Sequence, residues 1–268
     1  MLETDKVFAG SVPENYDRYM VPLIFADYAA DMARRAAAFS PRAVLETAAG
    51  SGAVTRALAP RLPVGASYTA TDLNQPMIDY AASQQPATPP VTWRQADALK
   101  LPFEDGSFDL VCCEFGAMFF PDRVAGYREA RRVLRPGGHF LLSVWDRIED
   151  NVFADDVTNA LGEMFPAAPP RFLARTPHGY HDVGLIRRDL AAAGFADVVL
   201  ETRAEQSRAS SARIPAVAYC QGTLLRNEIE AQGDLQSATH YVEAVLAGKH
   251  GRGPVAAKIQ AHIILATA

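Results

Sequence analysis

The sequence predicts an α/β fold with a mainly parallel, doubly wound sheet, and three observations carry that expectation. Strand-like and helix-like stretches alternate through about the first two hundred residues. The run Ala43-Val44-Leu45-Glu46-Thr47-Ala48-Ala49-Gly50-Ser51-Gly52-Ala53-Val54-Thr55 leads a short apolar stretch through a small-residue turn into a helical pattern. Residues 108–113 have the apolar character of a strand buried on both faces.

The elements follow in order. Residues 22–39 carry apolar side chains at helical spacing, among them Leu23, Phe25, Ala29 and Ala33. A strand at 43–47, a helix at 53–62, a strand at 67–71 and a helix at 76–84 come next. Asn74 suits the N-cap of that second helix, with Pro76 inside its first turn. Strands at 91–95 and 108–113 precede a helix at about 122–133. Arg135-Pro136-Gly137-Gly138 then stops the chain before a strand at 139–144. Residues 147–182 hold a helix-compatible stretch at 152–164 followed by Pro166, Pro169, Pro170 and Pro177, and read as an insertion. A helix at 183–193, closed by Gly194, leads to a strand at 196–203. The segment 214–249 is largely helical, and 259–267 reads as a final strand, which can be antiparallel at one edge. The chain thus divides into an N-terminal helical segment (1–39), a core (40–146), a cap insertion (147–182) and a C-terminal part of the sheet (183–268), together one structural domain.

Bulk composition bounds the function. The 268 residues are 49% hydrophobic and 21% charged, enough for a full core. A net charge of -5 without a Lys/Arg run argues against a nucleic-acid partner. No segment has the apolar length of a membrane span, and the polar start Met1-Leu2-Glu3-Thr4-Asp5-Lys6 does not read as a signal peptide, so a cytoplasmic protein is expected. Cys112, Cys113 and Cys220 lack metal-site or disulfide-framework spacing, so reduced structural thiols and no metal are expected.

The glycine-bearing loop after the first strand presents bare backbone N–H groups to a ligand. Asp72, about 20 residues after the glycines at the end of the second strand, can accept both hydroxyls of a ribose. Both features serve NAD and adenosyl cofactors alike. A third signal discriminates between them: Gln95-Ala96-Asp97-Ala98-Leu99-Lys100-Leu101-Pro102-Phe103, followed by Glu104-Asp105-Gly106-Ser107-Phe108-Asp109-Leu110-Val111 and by Glu129-Ala130-Arg131-Arg132-Val133-Leu134-Arg135-Pro136-Gly137-Gly138. With these residues in this order, the chain over roughly 40–146 resembles the class I S-adenosylmethionine-dependent methyltransferases, in particular the ubiquinone and menaquinone biosynthesis group. The stretch Gly10-Ser11-Val12-Pro13-Glu14-Asn15-Tyr16-Asp17-Arg18-Tyr19 looks like the N-terminal segment that some of these enzymes fold over the cofactor.

The resemblance implies a Rossmann-like sheet of seven strands in the order 3-2-1-4-5-7-6, the last antiparallel, under a helical cap. It implies S-adenosyl-L-methionine as cofactor, leaving as S-adenosyl-L-homocysteine. Glu46 would face the methionine part, and Ala48, Gly50 and Gly52 would form the loop beside methionine and ribose. Asp72 would hold the ribose diol, with Leu73 and Met77 along the adenine. Asp97 would accept from the adenine amino group, with the Ala98 N–H near the ring nitrogens. Glu114 and Phe115 would lie beside the sulfonium, and Tyr16 and Tyr19 would close over the cofactor. Ala48 departs from the family's usual first glycine and is expected to fit if its φ is negative. Three carboxylates and a loop of amides suit a cationic ligand better than a diphosphate.

Methyl transfer from a sulfonium needs alignment and exclusion of water more than a dedicated side chain. His178 and His181 could deprotonate a phenol or amine acceptor, although exposed loop histidines are the favoured reading; Tyr16 is a further candidate. His139, His240, His250 and His262 are expected to be structural. Phe115 could line the pocket, whereas Phe119 and Phe120 are expected to pack. Trp145, Phe153, Phe165, Phe172 and Tyr180 suggest an apolar acceptor chamber. The expected function is methyl transfer to a small, apolar or aromatic acceptor, with room for a homodimer. A catalytically silent adenosyl-binding sensor or scaffold is the alternative. An NAD(P)-dependent oxidoreductase is disfavoured by the absence of a Tyr-x-x-x-Lys dyad.

Overall fold

The computed structural model describes residues 12–268, with the side chains of Val12 and Pro13 left aside. The start of the expected N-terminal segment, including Gly10 and Ser11, lies outside the described residues. Seven strands form one sheet: β1 (Ala43–Glu46), β2 (Ser67–Asp72), β3 (Thr92–Gln95), β4 (Phe108–Glu114), β5 (Leu134–Trp145), β6 (Asp197–Ala209) and β7 (Val255–Thr267). Their spatial order is β3-β2-β1-β4-β5-β7-β6. The first five are mutually parallel, and β7 runs antiparallel to both β5 and β6. This is the order and the one reversed strand that the family resemblance implied.

All four residues of β1 are buried, as a central parallel strand with helices on both faces requires. Register sets Glu46 opposite Ala70 on one side and Cys112 on the other, while Asp72 ends β2 and Glu114 ends β4. Three carboxylates therefore meet at the carboxyl edge of the sheet, where ligands bind in doubly wound folds.

The helices are α1 (Val12–Asn15), α2 (Ala26–Ala38), α3 (Ala53–Leu58), α4 (Gln75–Gln84), α5 (Arg123–Val133), α6 (Val152–Met164), α7 (Phe172–Arg175), α8 (Val183–Ala192), α9 (Arg213–Gly222), α10 (Leu225–Glu230) and α11 (Leu235–His250). A π-helical stretch, Tyr16–Phe25, joins α1 to α2 and contains Pro22. The wider turn tolerates a residue that lacks an N–H. From α2 the Tyr28 hydroxyl donates to the Arg203 carbonyl at 2.9 Å, and Asp31 binds Arg34, Arg35 and Arg203, which ties this helix to β6. No helix among the described residues is long and apolar enough to cross a membrane.

Three expectations change. The last two strands are 13 residues each, not the shorter 196–203 and 259–267. Continuous main-chain pairing from Asp197↔Thr267 to Ala209↔Val255 extends them, in β6 through the polar run Glu205-Gln206-Ser207-Arg208. Strand β5 begins at Leu134 and runs through Arg135-Pro136-Gly137-Gly138, in place of the expected stop before a strand at 139–144; the segment 214–249 is largely helical as expected, forming α9 to α11. Asn74 stands at the N-cap of α4 but makes no side-chain cap bond; its amide turns to Asp72 Oδ1.

Candidate active site

The loop after β1 is shaped by its main-chain anchors. Thr47 N–H donates to Cys112 O and Ala49 N–H to Thr71 O, both at 2.9 Å. Between these anchors Ala48 adopts φ +53, contrary to the negative φ expected of an alanine there. The left-handed conformation costs about 1 kcal/mol for a residue with a Cβ. The loop nevertheless keeps it, because Ala48 packs where β4 ends: a Cβ on Gly116 would lie 2.4 Å from the Ala48 Cβ. Phe115, next to Gly116, also has a positive φ, +50. Two non-glycine residues in this region mark a locally strained backbone at the carboxyl edge.

Gly50 (φ +55) has nothing within 4 Å of where a Cβ would be, and its N–H donates to Asp72 Oδ2 at 2.9 Å. Gly52 plays a different part from the one expected. A Cβ on it would meet Ala81 and the Trp93 ring at 3.2 Å each, so it allows close packing of the loop and does not line the cleft.

Asp72 is buried, and its other oxygen, Oδ1, accepts the Asn74 N–H at 2.8 Å. Burial raises its pKa against these bonds. Glu46 accepts the Tyr68 and Thr55 hydroxyls on Oε2, at 2.5 and 2.6 Å, and burial pushes its pKa up to about 7. Glu114 has Oε1 enclosed without a hydrogen-bond partner, and burial, then the Glu46 carboxylate, raise its pKa well above the usual range. Among the described residues, few positive charges answer this cluster. Arg56 is shared with the Ser51 carbonyl and Asp17, both at 2.6 Å.

A cleft of about 180 Å³ opens over these strand ends. It brings together Tyr16, Ala48, Gly50, Asp72, Leu73, Met77, Asp97, Ala98, Glu114 and Phe115, the expected site residues that line it. Glu46 reaches a smaller adjoining recess, also lined by Tyr16 and Glu114. Asp97 is exposed at the rim, where its carboxylate accepts the Leu99 N–H at 2.9 Å. Tyr19 does not join them: it lies outside the cleft with the Arg18 guanidinium 5.2 Å over its ring.

A second compartment, about 60 Å³, lies behind the first. Tyr16, Phe115 and Phe119 line both and form the partition between them. Phe115 stacks on Trp145 at 3.9 Å with planes 9° apart. The Asp17–Arg56 ion pair (2.6 Å) and the Tyr80 hydroxyl on Asp17 (3.3 Å) fix the π-helical turn that presents Tyr16.

Several aromatic expectations are corrected here. Phe119 and Phe120 line the cleft instead of simply packing. Trp145 and Phe172 line the second chamber, but Phe153, Phe165 and Tyr180 do not. Phe153 packs against the His250 ring, Phe165 lies beside Gly233, and the Tyr180 hydroxyl is held by Tyr127 and Asp189. His178 is not an exposed loop residue: it is 5% exposed and lines the chamber, with Nδ1 2.8 Å from the Asp146 carbonyl. His181 is exposed and turned away, with Nδ1 on the His178 carbonyl. The chamber residues Met20, Ile24, Tyr219, Thr223 and Leu224 had no motif to announce them. They come from the π-helical stretch and from the α9–α10 region, remote in sequence from the strand ends.

Comparison with known proteins places this geometry. The family model described as a methyltransferase domain matches residues 45–142. The demethylmenaquinone methyltransferase of Mycolicibacterium gilvum is 33% identical over 164 residues, 58% of this chain and 68% of that protein. The demethylmenaquinone methyltransferase of Deinococcus radiodurans is 39% identical over 111 residues, 41% of this chain. The chain spans less than half of that relative's length, 46%. Among solved structures, phosphoethanolamine N-methyltransferase 2 of Haemonchus contortus, in complex with S-adenosyl-L-methionine, aligns with a TM-score of 0.57 at 18% identity, over 95% of this chain and 56% of that one. At that identity the likeness concerns the fold.

Proposed function

Because the chain belongs to the class I S-adenosylmethionine-dependent methyltransferases, we propose that it transfers a methyl group from S-adenosyl-L-methionine to a small apolar or aromatic acceptor. The observation that carries this reading is the pair of adjoining compartments that share Tyr16, Phe115 and Phe119 as walls. One has the carboxylates and bare loop amides for a polar cation, and the other is apolar.

The residues present fit that cofactor. Glu114 Oε1 is buried without a partner, and burial of Glu46, Asp72 and Glu114 together is relieved by a ligand that brings positive charge. A diphosphate would be repelled by the same set. Asp72 would accept from the ribose hydroxyls, Leu73 and Met77 would line the adenine, and Asp97 and the Ala98 N–H would meet its polar edge. Glu46 and Glu114 would face the methionine end, with Tyr16 closing over it. Bound there, the cofactor supplies a methyl group on a sulfonium that leaves as a neutral thioether. The protein's own contribution is alignment and a dry path between the compartments.

Calorimetric titration with S-adenosylhomocysteine and then with NADH tests the reading: binding of the first alone is expected. Binding of NADH alone would overturn it, and adenosyl binding without turnover over an acceptor panel would favour a sensor. Asp72→Ala is expected to weaken S-adenosylhomocysteine binding by roughly 1–3 kcal/mol through lost charged hydrogen bonds, about 5- to 150-fold in Kd. Unchanged affinity in a folded variant would show that the ribose lies elsewhere.

A further inference from the structure

The geometry points to His178 as the general base of the transfer, and to an apolar aromatic hydroxy compound, a phenol or naphthol, as the class of acceptor; this rests on the methyltransferase reading above. A main-chain carbonyl can only accept, so the 2.8 Å contact between His178 Nδ1 and Asp146 O places the ring proton on Nδ1. Nε2 therefore carries the lone pair. Both the ring and the main chain of His178 are anchored. His178 N–H donates to Leu173 O at 3.0 Å, and the ring lies 6.0 Å from Trp145. Asp146 is fixed in turn from β7, its N–H on Gln260 O at 3.0 Å and its Oδ2 accepting Gln260 Nε2 at 2.6 Å.

The chamber's lining selects the ligand. Among the described residues that line it, none is Asp, Glu, Lys or Arg, so a charged acceptor would enter without a counter-charge from them, at a cost of several kcal/mol. Aromatic rings dominate its walls, which favours a flat apolar body. A second polar anchor is the Tyr219 hydroxyl, 3% exposed as a residue and with no hydrogen-bond partner among the described residues, which can donate to a further oxygen on the ligand. Burial, with a smaller contribution from His181, keeps the His178 imidazole neutral, its pKa down at about 4, against the smaller influences of the Asp146 carbonyl and the Asp146 and Glu149 carboxylates; Tyr16 and Tyr219 are the other titratable groups that line the chamber.

In the step, the acceptor O–H bond breaks and its proton passes to Nε2. The oxygen lone pair forms the bond to the methyl carbon, the carbon–sulfur bond breaks, and its electron pair stays on sulfur. The products are a methyl ether, S-adenosylhomocysteine and an imidazolium that returns its proton to water. Because burial disfavours the imidazolium, the proton moves with the methyl group and not ahead of it.

The test compares wild type, His178→Ala and His178→Gln on 4-methoxyphenol, 1-naphthol, 4-cyanophenol and pentafluorophenol at pH 7.5. Glutamine can keep the bond to the Asp146 carbonyl but cannot take the proton. Both variants should lose about 100-fold on the weakly acidic phenols, and much less on pentafluorophenol, which is ionised in solution. Their affinity for S-adenosylhomocysteine should match wild type. In the S-adenosylhomocysteine complex at pH 5, bound 4-nitrophenol should absorb at longer wavelength with wild type than with His178→Ala, since Nε2 pulls on its proton. A loss uniform across the series, no loss, no wavelength difference, or a wild type that binds S-adenosylhomocysteine but methylates none of these phenols overturns the proposal. A wild type that does not bind S-adenosylhomocysteine overturns the methyltransferase reading as well.

Discussion

Gly116→Ala is expected to destabilise the protein by about 3 kcal/mol or more, the upper range for overpacking a filled core. The new methyl would sit 2.4 Å from the Ala48 Cβ and 3.0 Å from Cys113 Sγ. Neither neighbour has room to retreat. Cys113 is fully buried in β4, and Ala48 is bracketed by the main-chain bonds of Thr47 and Ala49. Ala48→Gly removes the nearer obstacle and also the left-handed cost of a Cβ, about 1 kcal/mol. That variant alone should be as stable as wild type or slightly more so, and the double variant should recover part of the loss. Urea unfolding of the four proteins measures both effects. Strict additivity, or a Gly116→Ala within 1 kcal/mol of wild type, would contradict the packing described for this corner.

The second large effect concerns pH. Glu46 has an ordinary value of 4.5 when unfolded and about 7 when folded, chiefly through burial. The folded state therefore holds the proton more tightly. The stability it contributes is complete below about pH 4.5 and is lost as pH rises towards 7. The loss above pH 7 is on the order of 3 kcal/mol. Glutamine mimics the protonated acid, so Glu46→Gln should unfold at a similar urea concentration to wild type near pH 4.5 and at a clearly higher one at pH 8. Parallel stability–pH curves for the two proteins would rule this out. The same linkage makes binding of a cationic ligand near Glu46 release protons around neutral pH. Titrations in buffers of different ionisation enthalpy would register them.

Much of the scaffold was legible because its signals are local. The apolar β1, the glycine turn and the carboxylates at positions 46 and 72 lie within one βαβ unit, and helix 152–164 was placed with its observed ends. The resemblance over 40–146 supplied the strand order. What stayed hidden depends on contacts distant in sequence. The positive φ of Ala48 sits between main-chain bonds to Cys112 and Thr71, and its Cβ fits only because Gly116, 68 positions on by residue number, has none. Tyr219 reaches the chamber from α9, and the buried His178 meets the carbonyl of Asp146, just past the end of β5. The length of β6 was missed since an edge strand can be held by main-chain pairing while its side chains stay exposed. Phe119 and Phe120 show the converse ambiguity: an aromatic pair reads the same whether it fills a core or walls a cleft.

The position of β7 has a consequence for how the chain folds. β7 is the last strand in sequence yet lies between β5 and β6 in space. Five parallel strands are complete once Trp145 has been made, but the open edge of β5, with Phe140, Leu141, Leu142 and Val144, gains its neighbour only when residues 255–267 arrive. Until then that edge is an unprotected template for pairing with another chain. Assembly is non-local at its final step, so closure of the sheet should be the slow event, and truncation within β7 should produce aggregation rather than a smaller folded protein.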